Sequence, residues 1–516
     1  MKRFNVTGVC VPEKHYMVDL SEKVDLIIRN YISQGAYFTI DRARQYGKTT
    51  MLSALTRRLE AQYLVLRISF EAADDYFVSP LIFANGFVMD VAEAMRRAVV
   101  DERIINQWEE KIEGDYPIKA LGRKITDLCK SVSKEIVLMI DEVDKCSDNQ
   151  IFLNFLGLLR NKYLDKQEGM DESFRSVILA GVYNVKNLKL KLRPEAEKKY
   201  NSPWNIAVDF EVDLSFSVNE IAGMLNQYAA DMDILMNIQT VSEKIYFYTR
   251  GYPFLVSWIC KWIDERGGRQ WTAQNVENAE KELLKNDNTL FDDMIKNIEN
   301  NKQLKQAVSI VLFEGKKIPF AKTSPAINLG VMFGILAERA QCVAIANIVF
   351  EVFLYNHMIT EKIMEQYTFG YENSQFVECG ALDMERILQK FQEVMKAEYR
   401  HEDEVFVEQQ GRLLFLCFIK PIINGKGNYY VEPETRDHTR MDVVISYGGC
   451  EYIVELKIWR GQQYRQKGIL QLEEYLDSRN CKKGYLISFN FNKNKKYVQN
   501  NLFLENSQKE IYEIEV

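Results

Sequence analysis

The chain has 516 residues and a formal net charge of -7. At about 100–200 residues per domain, this length predicts about three domains, and the acidic balance argues against a protein that coats nucleic acid. The nine cysteines are scattered as single residues with no C-x-x-C pair, so neither a disulfide framework nor a zinc ribbon is expected, and a cytoplasmic location is predicted. Because no signal-peptide pattern opens the chain and its most apolar region, 331–354, is interrupted by charges, no membrane association is expected.

The first stretch with recognisable chemistry is a short apolar run followed by a glycine–lysine loop. Residues 36–40 are predicted to form a buried strand and residues 48–59 a helix, with Gly47-Lys48-Thr49 between them. A strand, a tight loop and a helix are the setting of a phosphate-binding loop, in which backbone N–H groups and the positive end of the helix surround phosphates.

This loop predicts ATP and Mg2+ as cofactors. Lys48 would reach the outer phosphates, the Thr49 hydroxyl would hold Mg2+, and Gly47 and Thr50 would complete the phosphate contacts. The full pattern has a glycine five residues before Gly47, where this chain has Arg42. A basic helix cap that binds no nucleotide therefore stays open as an alternative interpretation.

A second motif supports the first. The run from Glu135 to Glu142 is apolar until it ends in Asp141 and Glu142. An unbroken apolar run is typical of a central parallel strand, and the acids would lie at its carboxyl end, where open α/β sheets bind ligands. Asp141 would hold the water shell of Mg2+, and Glu142 would polarise the attacking water. The alternative is a buried strand that ends at an acidic turn.

Two more strands, over 176–181 and 206–210, are predicted for the same sheet. After the first of them, Asn184 stands where a polar side chain could sense the γ-phosphate, although a turn asparagine is an equal alternative. Helices follow, and Ser217-Val-Asn-Glu220 is predicted to be a capping box.

Four motifs together resemble the bacterial AAA-like P-loop ATPases that neighbour the STAND group. They are Arg-Gln-Tyr-Gly-Lys-Thr-Thr at 44–50, Ile140-Asp-Glu142, Ser202-Pro-Trp-Asn-Ile206 and Arg250-Gly-Tyr-Pro-Phe254. The resemblance implies a regulatory or remodelling ATPase over roughly residues 15–270. The departure at Arg42 affects the expectation of turnover more than that of nucleotide binding.

The middle of the chain, about residues 270–400, is predicted to be mostly helical. The segments 330–339 and 342–346 are compatible with a wing-like hairpin after two helices. This order resembles a winged helix, which would pack against protein or bind DNA, and the packing role is favoured.

A strong hairpin signal occurs near the end of the chain, where two strand-like runs flank Gly448-Gly449. A two-residue turn at these glycines places Tyr447 opposite Cys450. Counting outward along both strands, Asp442 then faces Glu455, and directly opposed residues have Cβ atoms about 4.5–5.5 Å apart.

Two carboxylates and an ammonium are therefore predicted on one face of a sheet, because Lys457 lies two residues beyond Glu455. The two acids, Asp442 and Glu455, would repel each other unless a cation lay between them, and Mg2+ prefers oxygen ligands of this kind. Lys457 would stabilise developing negative charge. A simple ion pair between Glu455 and Lys457 is the alternative.

This constellation resembles the PD-(D/E)XK nuclease superfamily, with Asp442 as the first acid and Glu455-Leu-Lys457 as the Glu-x-Lys element. A following helix that contains Gln471 and a strand over 483–489 extend the resemblance. It implies a catalytic set of Asp442, Glu455, Lys457 and Gln471, although a nuclease fold that has lost cleavage would look the same.

The predicted architecture is a multidomain α/β protein. A P-loop ATPase with a parallel sheet and a helical lid is expected over 1–270, a helical or winged-helix-like region over 271–384, and a restriction-endonuclease-like α/β domain over 385–516. The predicted function is an ATP-controlled, Mg2+-dependent nuclease that acts on DNA, and the resemblance implies defence against foreign DNA or service to a mobile element. Two alternatives stay open: a signalling or scaffold ATPase that binds a protein partner or itself, and a DNA-binding regulator that uses the middle region.

Overall fold

The structure, a computed structural model, divides the chain into two compact units. The first contains Met1–Asn297 and Asn328–Ile335, and the second contains Ile298–Ile327 and Leu336–Val516. The structure describes residues 2–516 except 72, 147–148, 183–203, 315–317, 367–375, 379–380, 399–407, 424–426, 431–442, 460, 480, 491–496 and 506. Division into three domains at 270 and 384 stays a prediction.

The first unit contains a short parallel strand pair and a four-stranded parallel sheet. The pair is β1 (Arg3–Phe4) with β2 (His15–Tyr16). The sheet has the order β3-β6-β5-β4, and its strands are β3 (Phe38–Asp41), β4 (Leu64–Ser69), β5 (Ile136–Asp141) and β6 (Ser176–Gly181). Every residue of β5 and β6 is buried, which explains their unbroken apolar runs.

Helices cover both faces of this sheet, and successive residues of each strand face opposite layers. The helices are α1 (Ser21–Ile27), α2 (Lys48–Leu59), α3 (Pro80–Arg97), α4 (Glu102–Glu109), α5 (Pro117–Ser131) and α6 (Gln150–Gln167). On one face, Leu138 and Ile140 pack in a core with Phe83 of α3 and Phe155 of α6. On the other face, strand residues pack with α1 and α2.

The segment 206–210 departs from the prediction of a fifth strand. Val208 makes one parallel bridge to Phe38, and its N–H donates to the carbonyl of Tyr37 at 2.9 Å. Beyond this bridge the prediction is wrong. The carbonyls of Phe210 and Val212 accept hydrogen bonds from the Arg42 guanidinium and not from a neighbouring strand.

A helical region follows the sheet in the first unit. Its helices are α7 (Val218–Met232), α8 (Ile238–Thr249), α9 (Pro253–Glu265), α10 (Ala273–Lys285) and α11 (Thr289–Glu299). The predicted capping box is confirmed, because the Glu220 N–H donates to Ser217 Oγ at 3.2 Å and the Ser217 N–H donates to Glu220 Oε2 at 2.7 Å.

Two helices and a hairpin follow, in the order that the sequence predicts. They are α12 (Lys302–Ser309), α13 (Pro325–Met332), and the antiparallel strands β7 (Leu336–Arg339) and β8 (Cys342–Ile345). The helix α14 (Ile348–Gln366) comes next, and then the antiparallel pair β9 (Val377–Glu378) and β10 (Ala381–Leu382). A winged-helix role for this region stays a prediction.

The second unit contains a six-stranded mixed sheet. Two helices, α15 (Met384–Glu398) and α16 (Glu408–Ile423), precede it, and α17 (Gln462–Ser478) connects two of its strands. The sheet order is β11-β12-β13-β14-β16-β15, with β11 (Gly427–Tyr430), β12 (Val443–Tyr447), β13 (Cys450–Ile458), β14 (Lys483–Phe489), β15 (Gln499–Leu504) and β16 (Lys509–Glu515). The β12–β13 hairpin is antiparallel, whereas β13, β14 and β16 run parallel.

The helix α17 covers one face of this mixed sheet. Its Leu472 and Leu476 pack in a core with Val444 of β12, Ile453 of β13 and Leu486 of β14. Among the described residues, no helix has the length and apolar character needed to cross a membrane.

Candidate functional site

The glycine–lysine loop connects the carboxyl end of β3 to the amino end of α2. Gly47 is the residue before the helix and has φ 80°, in the left-handed region where a side chain is disfavoured. Gln45 also has a positive φ of 55°. Two residues of the loop therefore have a left-handed backbone conformation before Lys48 begins the helix. The loop brings the positive end of the helix to the edge of the sheet.

The Lys48 side chain is folded back over this loop and is 7% exposed. Its Nζ donates to the carbonyl oxygens of Arg42 at 2.9 Å and of Ala43 at 3.0 Å. Burial lowers the pKa of the Lys48 amine, and the carboxylates of Asp144, Glu142 and Asp141 oppose this change, Asp144 most strongly. A charge held by neutral carbonyls at a helix amino end is suited to an anionic ligand.

The two predicted acids lie at the same edge of the sheet as the loop. Asp141 ends β5 and is 4% exposed, and its Oδ2 lies 3.5 Å from Arg67 Nη2. The same Arg67 nitrogen donates to the Thr49 carbonyl at 3.3 Å, which links Asp141 to the first turn of α2. The structure thus brings the loop and the acids together at the carboxyl ends of parallel strands.

Glu142 adopts an unusual backbone conformation, with φ 56°. Its N–H donates to Asp141 Oδ1 at 3.1 Å. Burial raises the pKa of Glu142, and the Lys48 charge opposes that effect. A carboxyl group whose pKa is displaced towards neutrality is suited to accept a proton from water.

Asp144 is a third acid at this edge, and the sequence interpretation did not include it. Its two carboxylate oxygens accept from the Val182 N–H at 2.7 and 2.6 Å, which fixes the chain directly after β6. A Cβ atom on Gly181 would lie 2.6 Å from Asp144 Oδ1, so a larger residue there would have to displace this carboxylate. The available signal was a third acid within three residues of the end of an apolar strand.

The structure describes Thr50 but not Asn184, the two remaining predicted nucleotide contacts, and it also describes Arg250 of the fourth motif. The Thr50 hydroxyl oxygen accepts from the Cys10 N–H at 3.2 Å, so the N-terminal segment lies beside the start of α2. Asn184 lies outside the described residues, and its role stays a prediction. Arg250 is the C-terminal cap of α8 with φ 48°, and its guanidinium lies 5.8 Å from the ring centre of Tyr246.

The C-terminal hairpin has the register that the glycine pair predicts. Tyr447 pairs with Cys450 and Val443 pairs with Val454. Gly448 and Gly449 have φ 60° and 82°, as a two-residue turn with both central residues left-handed requires. Asp442 lies outside the described residues, so its approach to Glu455 stays a prediction.

Glu455 and Lys457 form an ion pair on the predicted face of β13. Lys457 Nζ lies 2.7 Å from Glu455 Oε1, with the Glu455 side chain fully buried and that of Lys457 19% exposed. A Cβ atom on Gly468 of α17 would lie 3.2 Å from Lys457 Cγ, so the helix passes directly over the lysine stem. Gln471 is half-buried on the same helix. In this arrangement the lysine charge neutralises Glu455.

A second ion pair lies on the same face. Glu513 is in register with Leu486, which is in register with Glu455, so the three side chains point to one side of the sheet. Arg465 of α17 contacts both oxygens of Glu513 at 2.7 Å. Within the described ranges, no group of three or more His, Cys, Asp or Glu side chains is arranged to hold a metal ion.

Comparison with known families decides the identity of the first part of the chain. The family described as "AAA-like domain" matches residues 10–354. The chain belongs to this AAA-like family. The match includes the loop, the acids and the helical region, and it ends before the mixed sheet of the second unit. The resemblance of that sheet to PD-(D/E)XK nucleases stays a prediction.

Three solved structures that are similar to this AAA-like protein are distant from it in sequence. A Walker-type ATPase of Pyrococcus abyssi is 13% identical, covers 67% of this chain and 98% of its own, and gives a TM-score of 0.44. The RuvB Holliday junction branch migration motor of Thermotoga maritima is 14% identical, covers 66% of this chain and 95% of its own, and gives a TM-score of 0.33. The ORC1 protein of Aeropyrum pernix, solved in complex with DNA, is 13% identical, covers 89% of this chain and 93% of its own, and gives a TM-score of 0.30. No curated protein matches the chain.

Proposed function

We propose that this AAA-like protein binds and hydrolyses ATP at the loop between β3 and α2. The observation that carries the proposal is the buried Lys48 amine, which two loop carbonyls hold at 2.9 and 3.0 Å beside the amino end of a helix. A polyphosphate would gain both from this cation and from the exposed N–H groups of the first helical turn. Gly47, Thr49 and Thr50 would contribute the neighbouring backbone and hydroxyl groups.

The acids at this edge fit a nucleotide-bound Mg2+. Thr49 and Asp141 would hold the ion, because hydroxyl and carboxylate oxygens are the ligands that Mg2+ prefers. When bound, Mg2+ neutralises phosphate charge. Glu142 would orient and deprotonate the attacking water, and burial already moves the pKa of its carboxyl upwards.

The test is the binding and hydrolysis of ATP by three variants. Lys48→Ala removes the carbonyl-held cation and should weaken ATP binding by about 100-fold or more, as loss of a buried charged contact predicts. Glu142→Gln should keep binding and slow hydrolysis by about 100-fold or more. Lys124→Ala is the matched control, because Lys124 also donates to two carbonyl oxygens, those of Gln107 and Trp108, but it belongs to α5.

The outcomes separate the possible functions of the loop. Unchanged ATP affinity in Lys48→Ala would overturn the proposal and favour a basic helix cap. Equal losses in Lys48→Ala and Lys124→Ala would have the same meaning, because they would trace the effect to stability.

A second candidate function is nucleotide-controlled, Mg2+-dependent cleavage of DNA by the second unit. The order of the mixed sheet supports it: an antiparallel hairpin, a crossover helix and a parallel strand, with Glu455 and Lys457 on the face beneath that helix. Asp442, directly before β12, would join Glu455 in holding Mg2+. Lys457 would then leave its ion pair to stabilise charge on the phosphate, with Gln471 beside it.

The cleavage test uses plasmid DNA, Mg2+ and ATP with the full-length protein. Nicking by the wild type that disappears in Asp442→Ala and in Lys457→Ala is the expected result. Arg479→Ala is the control, since Arg479 pairs with the hairpin residue Glu451 at 3.3 Å. If wild type and the two site variants nick equally, the site is misassigned. If no cleavage occurs while ATP binding depends on Lys48, a signalling or scaffold ATPase is the better description.

A further inference from the structure

Arg42 stands where the phosphate-loop pattern has its first glycine, and its side chain makes several contacts at the base of the loop. The guanidinium Nη1 donates to the carbonyl of Asp41 at 3.0 Å. The Nη2 donates to the carbonyl of Val212 at 2.9 Å and lies 3.4 Å from that of Phe210. The guanidinium carbon also lies 5.2 Å from the centre of the Phe210 ring.

The backbone of the same residue is fixed at both ends. The Arg42 N–H donates to the Gly181 carbonyl at 3.1 Å, which continues the pairing of β3 with β6. Its carbonyl oxygen accepts one of the two hydrogen bonds from Lys48 Nζ. A side chain that ties the residue to 210–212 therefore also sets the position of a carbonyl that holds the lysine.

We propose that Arg42 is a positioning residue for nucleotide binding, which acts through Lys48. The proposal rests on the proposed ATP function of this loop. In the common pattern, glycine gives the loop its shape through backbone freedom. In this chain the contacts of the Arg42 guanidinium with Phe210 and Val212, here called the guanidinium clamp, fix the shape by joining the loop to the segment 210–212.

The chemistry of the clamp explains why arginine occupies this position. A guanidinium is planar, and its N–H groups point in several fixed directions, so it can bind separate carbonyls and stack on a ring at the same time. Lysine offers a single ammonium without a planar face. Glycine would remove every one of these side-chain contacts and add backbone freedom that must be lost when the loop is ordered.

The experiment is titration of full-length protein with a fluorescent ATP analogue and Mg2+. Arg42→Gly, which restores the common pattern, should weaken binding by about tenfold, an effect of the size of one charged hydrogen bond. Arg42→Lys should recover part of that loss. If Arg42→Gly fails to fold, Arg42→Lys and Phe210→Leu provide the measurement, and each should weaken binding by about two- to threefold through partial loss of the clamp.

Arg175→Ala is the matched control. The Arg175 guanidinium also donates to two backbone carbonyls, those of Ile32 and Ser33, but these residues precede β3 at the opposite end of the same sheet. Both Arg42→Ala and Arg175→Ala should lower the urea midpoint of unfolding. Only Arg42→Ala should weaken nucleotide binding, while Arg175→Ala should stay within about twofold of the wild type.

A double-mutant cycle distinguishes positioning from general stability. Because Arg42 acts through Lys48, Lys48→Ala with Arg42→Gly should bind the analogue as weakly as Lys48→Ala alone. Additive losses, or wild-type affinity in Arg42→Gly, would overturn the positioning role while the ATP function stands. Unchanged affinity in Lys48→Ala would overturn both.

Discussion

Each unit of the molecule contains a lysine of interest, Lys48 at the start of α2 and Lys457 on β13, and their charges are compensated differently. Lys48 in the first unit donates to two backbone carbonyls, with carboxylates acting on it through space. Lys457 in the second unit lies 2.7 Å from the buried carboxylate of Glu455. The first cation makes its hydrogen bonds to carbonyl dipoles, whereas the second is in direct contact with a full negative charge.

This difference determines what each site can accept without rearrangement. Carbonyl dipoles hold an ammonium in place but do not cancel its charge, so an anion can still gain from it, although the carboxylates at this edge of the sheet reduce that gain. A direct ion pair cancels the charge of both partners, and a cation or a phosphate must first compete with it. The first site is therefore arranged for an anionic ligand, while the second must open its ion pair before it can bind a metal or a phosphate.

The largest expected effect tests the neutralised pair. Lys457→Met leaves the Glu455 carboxylate buried and should lower the free energy of unfolding by about 3–5 kcal/mol, as breaking one side of a buried ion pair does. Replacing both residues, by Glu455→Leu with Lys457→Met, should recover most of that loss. Urea unfolding measures the cycle, and Arg58→Met, in the exposed pair with Asp25, should cost less than about 1 kcal/mol. Equal stability of Lys457→Met and of the double variant would show that water reaches the Glu455 carboxylate when Lys457 is absent.

Glu280 of α10 shows a third way to compensate a buried charge, which is to remove it by protonation. Burial raises the pKa of this carboxyl to about 8, with a further increase from Glu277, while Lys281 and Lys244 oppose it. From the ordinary pKa of 4.5 up to about 8, the unfolded chain ionises while the folded chain stays neutral. The wild type should therefore lose about 1.4 kcal/mol of stability per pH unit in this window, and none of this loss occurs below it.

The variant Glu280→Gln cannot ionise and should escape this loss. Its advantage over the wild type should grow by roughly 2–3 kcal/mol between pH 5 and pH 7, measured from urea unfolding of both proteins at each pH. Glu282→Gln on the same helix, where the glutamate pairs with Lys285 near the surface, is the control. A constant difference across the window would show that water reaches Glu280.

Several elements of the fold could be predicted from local sequence alone. The bounds of α2, β6 and β14 agree with the prediction, because their apolar residues recur at the spacing of a helix or a strand and Gly47 directly precedes α2. The segment predicted as a strand over 206–210 makes one bridge, between Val208 and Phe38, and its last carbonyl, that of Phe210, accepts from Arg42. Arg42 and Phe210 are 168 positions apart, and no local sequence pattern predicts their interaction.

The candidate sites also contain residues that local sequence predicts and residues that it does not. Lys48, Asp141 and Glu142 were accessible from the sequence, because strand ends of a parallel sheet meet at one edge. Asp144 was missed because its partner, Val182, is 38 residues away. For Glu455 and Lys457 the spacing predicted a shared face, but the choice between an ion pair and a cation site depends on burial, which only the packing of α17 determines.

A smaller effect tests the carbonyl-held lysine. Burial lowers the pKa of Lys48, so the charged amine is less favourable in the folded state than in the unfolded chain, and Lys48→Met should leave the free energy of unfolding within about 1 kcal/mol of the wild type or above it. This contrasts with the large loss expected for Lys457→Met. Urea unfolding without nucleotide measures both. A loss of several kcal/mol in Lys48→Met would mean that its two carbonyl contacts are structurally essential, and the contrast between the two lysines would fail.

The smallest expected effect concerns the outer surface of the phosphate loop. Arg44 Nη1 lies 2.7 Å from Asp293 Oδ2 of α11, with the Arg44 side chain 62% exposed, and Gln45 donates to Thr289 Oγ1 at 3.0 Å on the same helix. Asp293→Asn removes a negative charge beside the loop, so ATP should bind about two- to fivefold more tightly at low salt, and the gain should disappear at high salt because the pair is exposed. Asp25→Asn, which removes the acid of an exposed pair on α1, should leave the affinity unchanged. Weaker binding in Asp293→Asn would instead mean that α11 supports the loop shape, so that contacts from outside the loop, and not its charge alone, set the affinity for the nucleotide.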